Sequence, residues 1–270
     1  MTIMKTNGKI DLAVFTALVV AIALISTILF LSSRVAEPGF DPCVVVMYNA
    51  GLGADCNAFL NDSDYSYVDA VKRAYDYFTG VSETVPGVAL SVRTHTIDES
   101  LLFERNPSVE SYSQRHFFNP MRSLETKIKD VVMNANSLSF KSTQTREAIA
   151  KEIYWAIMDF SRAKVQIKVA GELIELDFSR VDPRLVAAIM VVESTMNPFA
   201  LREERSLLPN HDFIYSRGLM QIYELTLWSL NTWLRDSGVN VQPLELWSIR
   251  NNVFLGMLYL AYATHIVDGI

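Results

Sequence analysis

Glu193 closes the stretch "RLVAAIMVVES" (Arg184 to Ser194), whose apolar residues Leu185, Val186, Ile189, Met190 and Val192 recur at helical spacing. Asp182-Pro183 ahead of it supplies a capping side chain and a first-turn proline, and Asn197-Pro198 behind it cannot continue a helix. The glutamate is therefore expected on an apolar helix, near the end where the backbone dipole is negative. Desolvation and the dipole both favour its protonated form there and raise its pKa. An acid of that kind can give a proton to a glycosidic oxygen near neutral pH. A solvated glutamate at a frayed helix end is the alternative reading.

Other chemistries find little support. The four histidines are scattered and the two cysteines, Cys43 and Cys56, lie close together, so no zinc-ligand spacing arises. Gly-rich nucleotide loops and a nucleophile elbow are missing, and neither a metal nor a cofactor is expected. The formal net charge of −6 argues against a nucleic-acid partner, which would call for a basic stripe.

The elements around Glu193 are mostly helical. Asp41-Pro42 predicts a short buried helix over Cys43 to Tyr48, ended by Asn49, Gly51 and Gly53. Tyr65 to Phe78 has helical periodicity, with Gly80 to close it. Residues 80–120 read as irregular. Arg122 to Asn134 and Thr145 to Arg162 are amphipathic helices, and Val165 to Phe178 alternates about Ala170-Gly171-Glu172 as a β-hairpin. Gly218 to Leu234 and Ile249 to Val267 complete the helices.

At the other end, Leu12 to Leu31 carries no charge over twenty residues, enough to span a hydrocarbon core of roughly 30 Å. Lys5 and Lys9 precede it, while Arg34 is offset by Glu37 and Asp41. This pattern predicts a single-pass anchor at 12–31 with residues 1–11 cytoplasmic and the rest exported. The segment is too long for a signal-peptide core. In an oxidising compartment Cys43 and Cys56 could pair; two buried thiols are the other outcome.

Glu193-Ser194, Asn197-Pro198, Gly218-Leu219-Met220-Gln221 and the run Asn252…Gly256…Tyr259-Leu260 together resemble the motifs of the soluble lytic transglycosylase family. The resemblance covers about Val181 to Val267. It implies a lysozyme-like helical fold that cleaves the glycan strands of peptidoglycan. That family continues with a helix bearing Ala-Tyr-Asn-Ala-Gly and a last helix rich in tyrosine and valine, whereas this sequence ends at Ile270. "GFDPCVVVMYNAGLG" (Gly39 to Gly53) resembles the first of these pieces, and "DYSYVDAVKRAYDYF" (Asp64 to Phe78) the second. The order reads as a circular permutation. Residues 39–79 form the C-terminal half of the lysozyme-like domain, 80–180 an insert of helices and a β-hairpin, and 181–270 the catalytic half.

The fold class expected is thus mainly α, a circularly permuted lysozyme-like transglycosylase with an N-terminal transmembrane helix and an α/β-hairpin insert beside the core. By resemblance Glu193 is the single acid/base, forming a 1,6-anhydro-MurNAc product. Tyr48, Asn49, Ser194, Met220, Gln221 and Tyr259 are implied to meet the glycan. Tyr259 as a core aromatic is an equal reading. The link Leu201 to Tyr215 is longer than the family's, and Tyr223 stands where the family has a small or apolar residue. Partners implied are peptidoglycan, the membrane through 12–31, and a secretion, conjugation or phage-entry assembly. The location would be the bacterial inner membrane with a periplasmic catalytic domain, or a virion that delivers it there. The rivals are a lysozyme-type hydrolase and a non-catalytic wall-binding assembly protein.

Overall fold

Two Asp-Pro pairs start the two helices on which the site depends. The computed structural model describes residues 39–62, 65–84, 92–114, 121–204 and 215–269. The expected anchor at 12–31 lies outside the described residues, and among those no helix is long and apolar enough to cross a membrane.

Helix α1 (Pro42–Ala50) is capped by Asp41, whose Oδ1 accepts from the amides of Cys43 at 2.8 Å and Val44 at 3.3 Å. Gly51, at φ 100°, ends it. Cys43 and Cys56 form a disulfide that ties α1 to α2 (Cys56–Leu60). Helix α3 (Tyr67–Thr79) buries Val68, Val71, Ala74 and Phe78 and stops at left-handed Gly80. The next segment supplies strand β1 (Arg93–Thr94), a 3-10 turn (Glu99–Phe103) and the short helix α4 (Pro107–Glu110), where the sequence reads as irregular. Helices α5 (Arg122–Asn134) and α6 (Thr143–Phe160) follow. Strands β2 (Lys164–Val169) and β3 (Glu172–Asp177) pair antiparallel from Lys164–Asp177 to Val169–Glu172. Ala170 and Gly171 both have positive φ, the two-residue turn that matches the twist of a hairpin.

Helix α7 (Pro183–Ser194) takes its cap from Asp182, whose Oδ1 accepts from the Arg184 amide at 2.8 Å, and ends at left-handed Thr195. Strands β4 (Ala200–Glu203), β5 (Tyr215–Arg217) and β6 (Ile222–Tyr223) then form with β1 an antiparallel sheet ordered β1-β4-β5-β6. The helix expected from Gly218 begins only at α8 (Glu224–Trp233). Gly218 at φ 78° and Gln221 at φ 47° cannot lie in a right-handed helix, so the Gly-Leu-Met-Gln segment is a turn. The last helix, α9 (Ile249–Val267), is buried on nearly every side from Ile249 to Leu258, as befits a central helix.

Residues 80–180 are not the appendage that the sequence suggests. Ile149, Ile153, Ile157 and Phe160 of α6 are fully buried in the same hydrophobic core as α7 and α9. Arg250 of α9, itself fully buried, ion-pairs with Glu110 and with Asp159 Oδ2 at 3.1 Å, bonds Ser113 Oγ at 2.8 Å, and lies over the Phe160 ring. The physical reason is volume: α9 is buried on nearly every side over Ile249 to Leu258, and the 39–79 helices cover only part of it. Arg250→Ala leaves Glu110 with Arg105 alone and takes from Asp159 its buried cation, and is expected to lower unfolding free energy by about 3 kcal/mol in urea titrations.

Candidate active site

Helices α3 and α7 run antiparallel and are fastened at both ends by tyrosine–carboxylate hydrogen bonds. Tyr75 donates to Asp182 Oδ2 at 2.7 Å, at the start of α7, and Tyr67 donates to Glu193 Oε1 at 2.6 Å, at its end. The eight-residue step from Tyr67 to Tyr75 spans about 12 Å of helix, so the register between α3 and α7 is fixed at two separated points. Glu193 is only 3% exposed, which removes the solvated-end alternative.

Arg202 of β4 reaches the other carboxylate oxygen, with Nη1 3.3 Å from Glu193 Oε2. Its Nε donates to Glu204 Oε1 at 2.6 Å, and the same oxygen accepts from Ser216 Oγ of β5 at 2.8 Å. The pairing Arg202↔Ser216 across β4 and β5 sets these groups side by side. Burial pushes the Glu193 pKa up; Arg202 and the Tyr67 hydrogen bond draw it down, and Glu204 pushes it up again. The net direction is upward. Tyr48 and Tyr67 are driven well above the usual phenol range by burial and then by the Glu193 charge, so both remain donors.

These groups line a cleft of about 440 Å³, within the range of small-ligand sites. Of the residues that the sequence singles out, Tyr48, Asn49, Glu193, Gln221 and Tyr259 line it together. Tyr48 donates to the Met220 carbonyl at 2.7 Å and meets the Tyr259 ring edge-on at 5.7 Å between centroids. Asn49 accepts from Tyr65 at 3.0 Å. Gln221 donates from Nε2 to the carbonyls of Gly218 at 2.8 Å and Ala200 at 3.1 Å. Its Oε1 is buried and, among the described residues, has no protein donor.

Ser194 and Met220 do not line the cleft, contrary to the sequence expectation. Both are about 1% exposed. Ser194 Oγ lies 2.7 Å from the Leu219 carbonyl, one residue before Met220, and so clamps the turn from beneath. The Met220 amide donates to Asn252 Oδ1 at 2.8 Å, while its thioether fills the space over Gly256 where a side chain would overlap it. The motif residues hold one another. They build the floor of the cleft, while Glu193, Gln221 and Tyr259 line it.

Tyr67, Arg202, Glu204 and Ser216 carry no signal of their roles in the sequence. Tyr67 looks like any aromatic on the buried face of α3. Arg202 and Glu204 belong to a polar link, and nothing in residue type shows that β4 aims them at Glu193. A second cavity of about 570 Å³ lies along α8, lined among others by Trp228, Arg235 and Glu224. Glu224 is already paired with Arg217. The chemistry concentrates in the smaller cleft.

A buried, protonatable carboxylate in the cleft of a mainly helical domain is an arrangement able to do general acid–base chemistry. Residues 175–267 match the family model of the Transglycosylase SLT domain, so this part of the chain is similar to that of the lytic transglycosylases. The match includes Glu193, Gln221 and Tyr259 and excludes Tyr48, Asn49 and Tyr67. Searches among curated proteins and solved structures found no match.

The buried acid has a measurable cost. Its folded-state pKa lies above its unfolded value, so its contribution favours folding below the unfolded carboxylate range and is lost as pH rises through the folded value. Glu193→Gln removes that penalty. The variant is expected to melt higher than wild type at about pH 7–8, with the difference closing near about pH 4, by calorimetry across that range.

Proposed function

We propose that this protein is a membrane-anchored lytic transglycosylase that cleaves the MurNAc–GlcNAc β-1,4 bond of peptidoglycan and leaves a 1,6-anhydro-MurNAc end. The observation that carries the reading is Glu193: one buried carboxylate, raised in pKa by its surroundings, facing a cleft within the matched segment. Protonated Glu193 gives its proton to the bridging oxygen as the bond from that oxygen to the muramoyl anomeric carbon breaks. The 6-hydroxyl of the same sugar then closes on that carbon and returns its proton to the Glu193 carboxylate. No water is consumed, and the acid ends the cycle as it began. Tyr67 keeps the carboxylate facing the cleft, and Gln221 lines the cleft beside it.

Glu204 favours a second reading, hydrolysis, because it brings another carboxylate into the same cleft. Its oxygen Oε1 is engaged by Arg202 and Ser216, which argues against its acting as a free base for water. Glu193→Gln should lower glycan cleavage by about three orders of magnitude on purified sacculi. Mass analysis of the wild-type products separates the readings: anhydro ends mark the transglycosylase, and reducing ends gained with water mark the hydrolase.

The circular permutation belongs to the same proposal. Helix α1 supplies Tyr48 and Asn49 to a cleft whose acid lies more than a hundred positions later, α3 supplies Tyr67 to that acid, and α1 also packs on α9. A chain reordered as 80–269 followed by 39–79 puts these pieces in the family's order and keeps every described contact partner. It should fold and cleave sacculi at a rate near that of the original. A reordered chain that folds, by circular dichroism and melting, yet is inactive would defeat the permutation.

The uncharged segment 12–31 supports a single-pass anchor, with the catalytic domain on the outer face of a bacterial inner membrane. Local wall opening for a secretion, conjugation or phage-entry assembly is the use that suits an anchored enzyme of this kind.

A further inference from the structure

A general acid that must later act as a base places conflicting demands on its surroundings. A cation fully committed to the buried carboxylate would hold it ionised, with no proton to give. With no cation at hand, the anion left after proton transfer would stand uncompensated in a low-dielectric site. The Glu193 site contains a third arrangement. The Arg202 guanidinium reaches Glu193 Oε2 through a single bond of 3.3 Å, while its Nε edge makes the shorter bond, 2.6 Å, to Glu204. Glu204 is itself held by Ser216 across the β4–β5 pair.

We propose that Arg202 is a positioning residue for the acid, its guanidinium divided between Glu193 and Glu204, and that Glu204 governs how firmly the cation holds the Glu193 carboxylate. This rests on the reading of Glu193 as the acid/base. Arg202, Glu204 and Ser216 all line the cleft, so the network stands where the reacting sugar would lie. The charged and titratable groups that act on Glu193 come from several elements. Tyr67 reaches it from α3 and Arg202 from β4, while Glu204 follows β4. Tyr48 of α1 and Tyr65, ahead of α3, feel its charge in turn. Tyr259 of α9 lies behind Tyr48. Arg202 is the cation in this set, and Glu204 the second carboxylate.

The arrangement makes an opposed pair of expectations. The alkaline limb of the pH profile of kcat/KM reports loss of the Glu193 proton in the free enzyme. Removing Arg202 takes away the cation that favours the ionised form. Removing the Glu204 charge takes away the anion that opposes ionisation, and leaves Arg202 with Glu193 as its carboxylate partner in the cleft. The two variants should therefore move the limb in opposite directions.

The test uses the full chain on purified sacculi, with melting curves to verify folding. Arg202→Ala is expected to shift the alkaline limb to higher pH and to lower kcat about tenfold through loss of orientation, leaving KM nearly unchanged. Arg202→Lys keeps the charge and should return the limb toward its wild-type position. Glu204→Gln, nearly isosteric and so able to keep the fold, should shift the limb to lower pH. A raised KM with an unmoved limb in Arg202→Ala would make Arg202 a glycan contact and overturn the proposal. Shifts of the same sign in Arg202→Ala and Glu204→Gln would overturn it as well. Retention of activity by Glu193→Gln would instead sink the underlying assignment of the acid, whatever Arg202 does.

Discussion

The structure is organised around the cost of burying an ionisable carboxylate. Glu193 lies at the end of a helix whose last ten residues are all buried, so its charge can be relieved only by groups brought in from elsewhere. α3 brings Tyr67, β4 brings Arg202, and the segment after β4 brings Glu204. Each needs its own scaffold. Tyr67 is aimed because Tyr75, two turns further on, grips the cap of α7; the same helix thus fixes the position of the acid and of its partner. Arg202 is aimed because β4 lies between β1 and β5, with Ser216 directly opposite it on β5.

The floor of the cleft shows a second consequence. Gly218, Met220, Gln221, Asn252 and Gly256 come from two separated stretches, yet form one interlocked unit. Asn252 uses its amide on the carbonyls of Arg217 at 2.9 Å and Leu246 at 3.1 Å, and its oxygen on the Met220 amide. A Cβ at Gly218 would overlap that Asn252 amide, and one at Gly256 would overlap the Met220 thioether. Left-handed Gln221 is held by two carbonyls. Backbone strain of this kind persists only where surrounding bonds over-determine it. The reward is a turn that holds Gln221 in a fixed place in the lining of the cleft.

The sequence was most legible where local chemistry dictates the outcome. Asp-Pro caps, the alternating strands about Ala170-Gly171 and the apolar faces of α3, α5 and α9 all lie within a residue or two of their expected positions. Glu193 stood out less by its place on an apolar helix, which a solvated helix end would also explain, than by the motifs around it. The turn at Gly218 was not, since "GLMQIYELTLW" has helical composition and only the contacts of Asn252 force positive φ upon it. Arg202 and Glu204 were illegible for a different reason. Their roles depend on which strand lies next to Glu193, and two charged residues in a polar link carry no trace of that neighbour. Ser194 and Met220 stand out by their motifs, yet both are buried beneath the cleft, where they hold the turn. Resemblance marks a residue as needed without giving the reason for the need.

Connectivity sets the last constraint. Tyr67 and Glu193 are 126 positions apart, Tyr48 and Met220 are 172, and Arg250 and Glu110 are 140. Closing such loops costs only logarithmically more as they lengthen, so a distant arrangement of segments is thermodynamically tolerable. It is less favourable kinetically, because non-local contacts must form before they stabilise one another. The segment between α3 and α7 eases that difficulty by not being a passive tether. α5 and α6 form a local pair, the β2–β3 hairpin closes over two residues, and α6 lays its buried face on α9. The described residues of that segment therefore share the core with α7 and α9. On that view the hydrophobic joint between α6 and α9 and the buried Arg250 cluster belong to the site as much as the cleft residues do, since they hold in place the helix on which Tyr259, Asn252 and Gly256 depend.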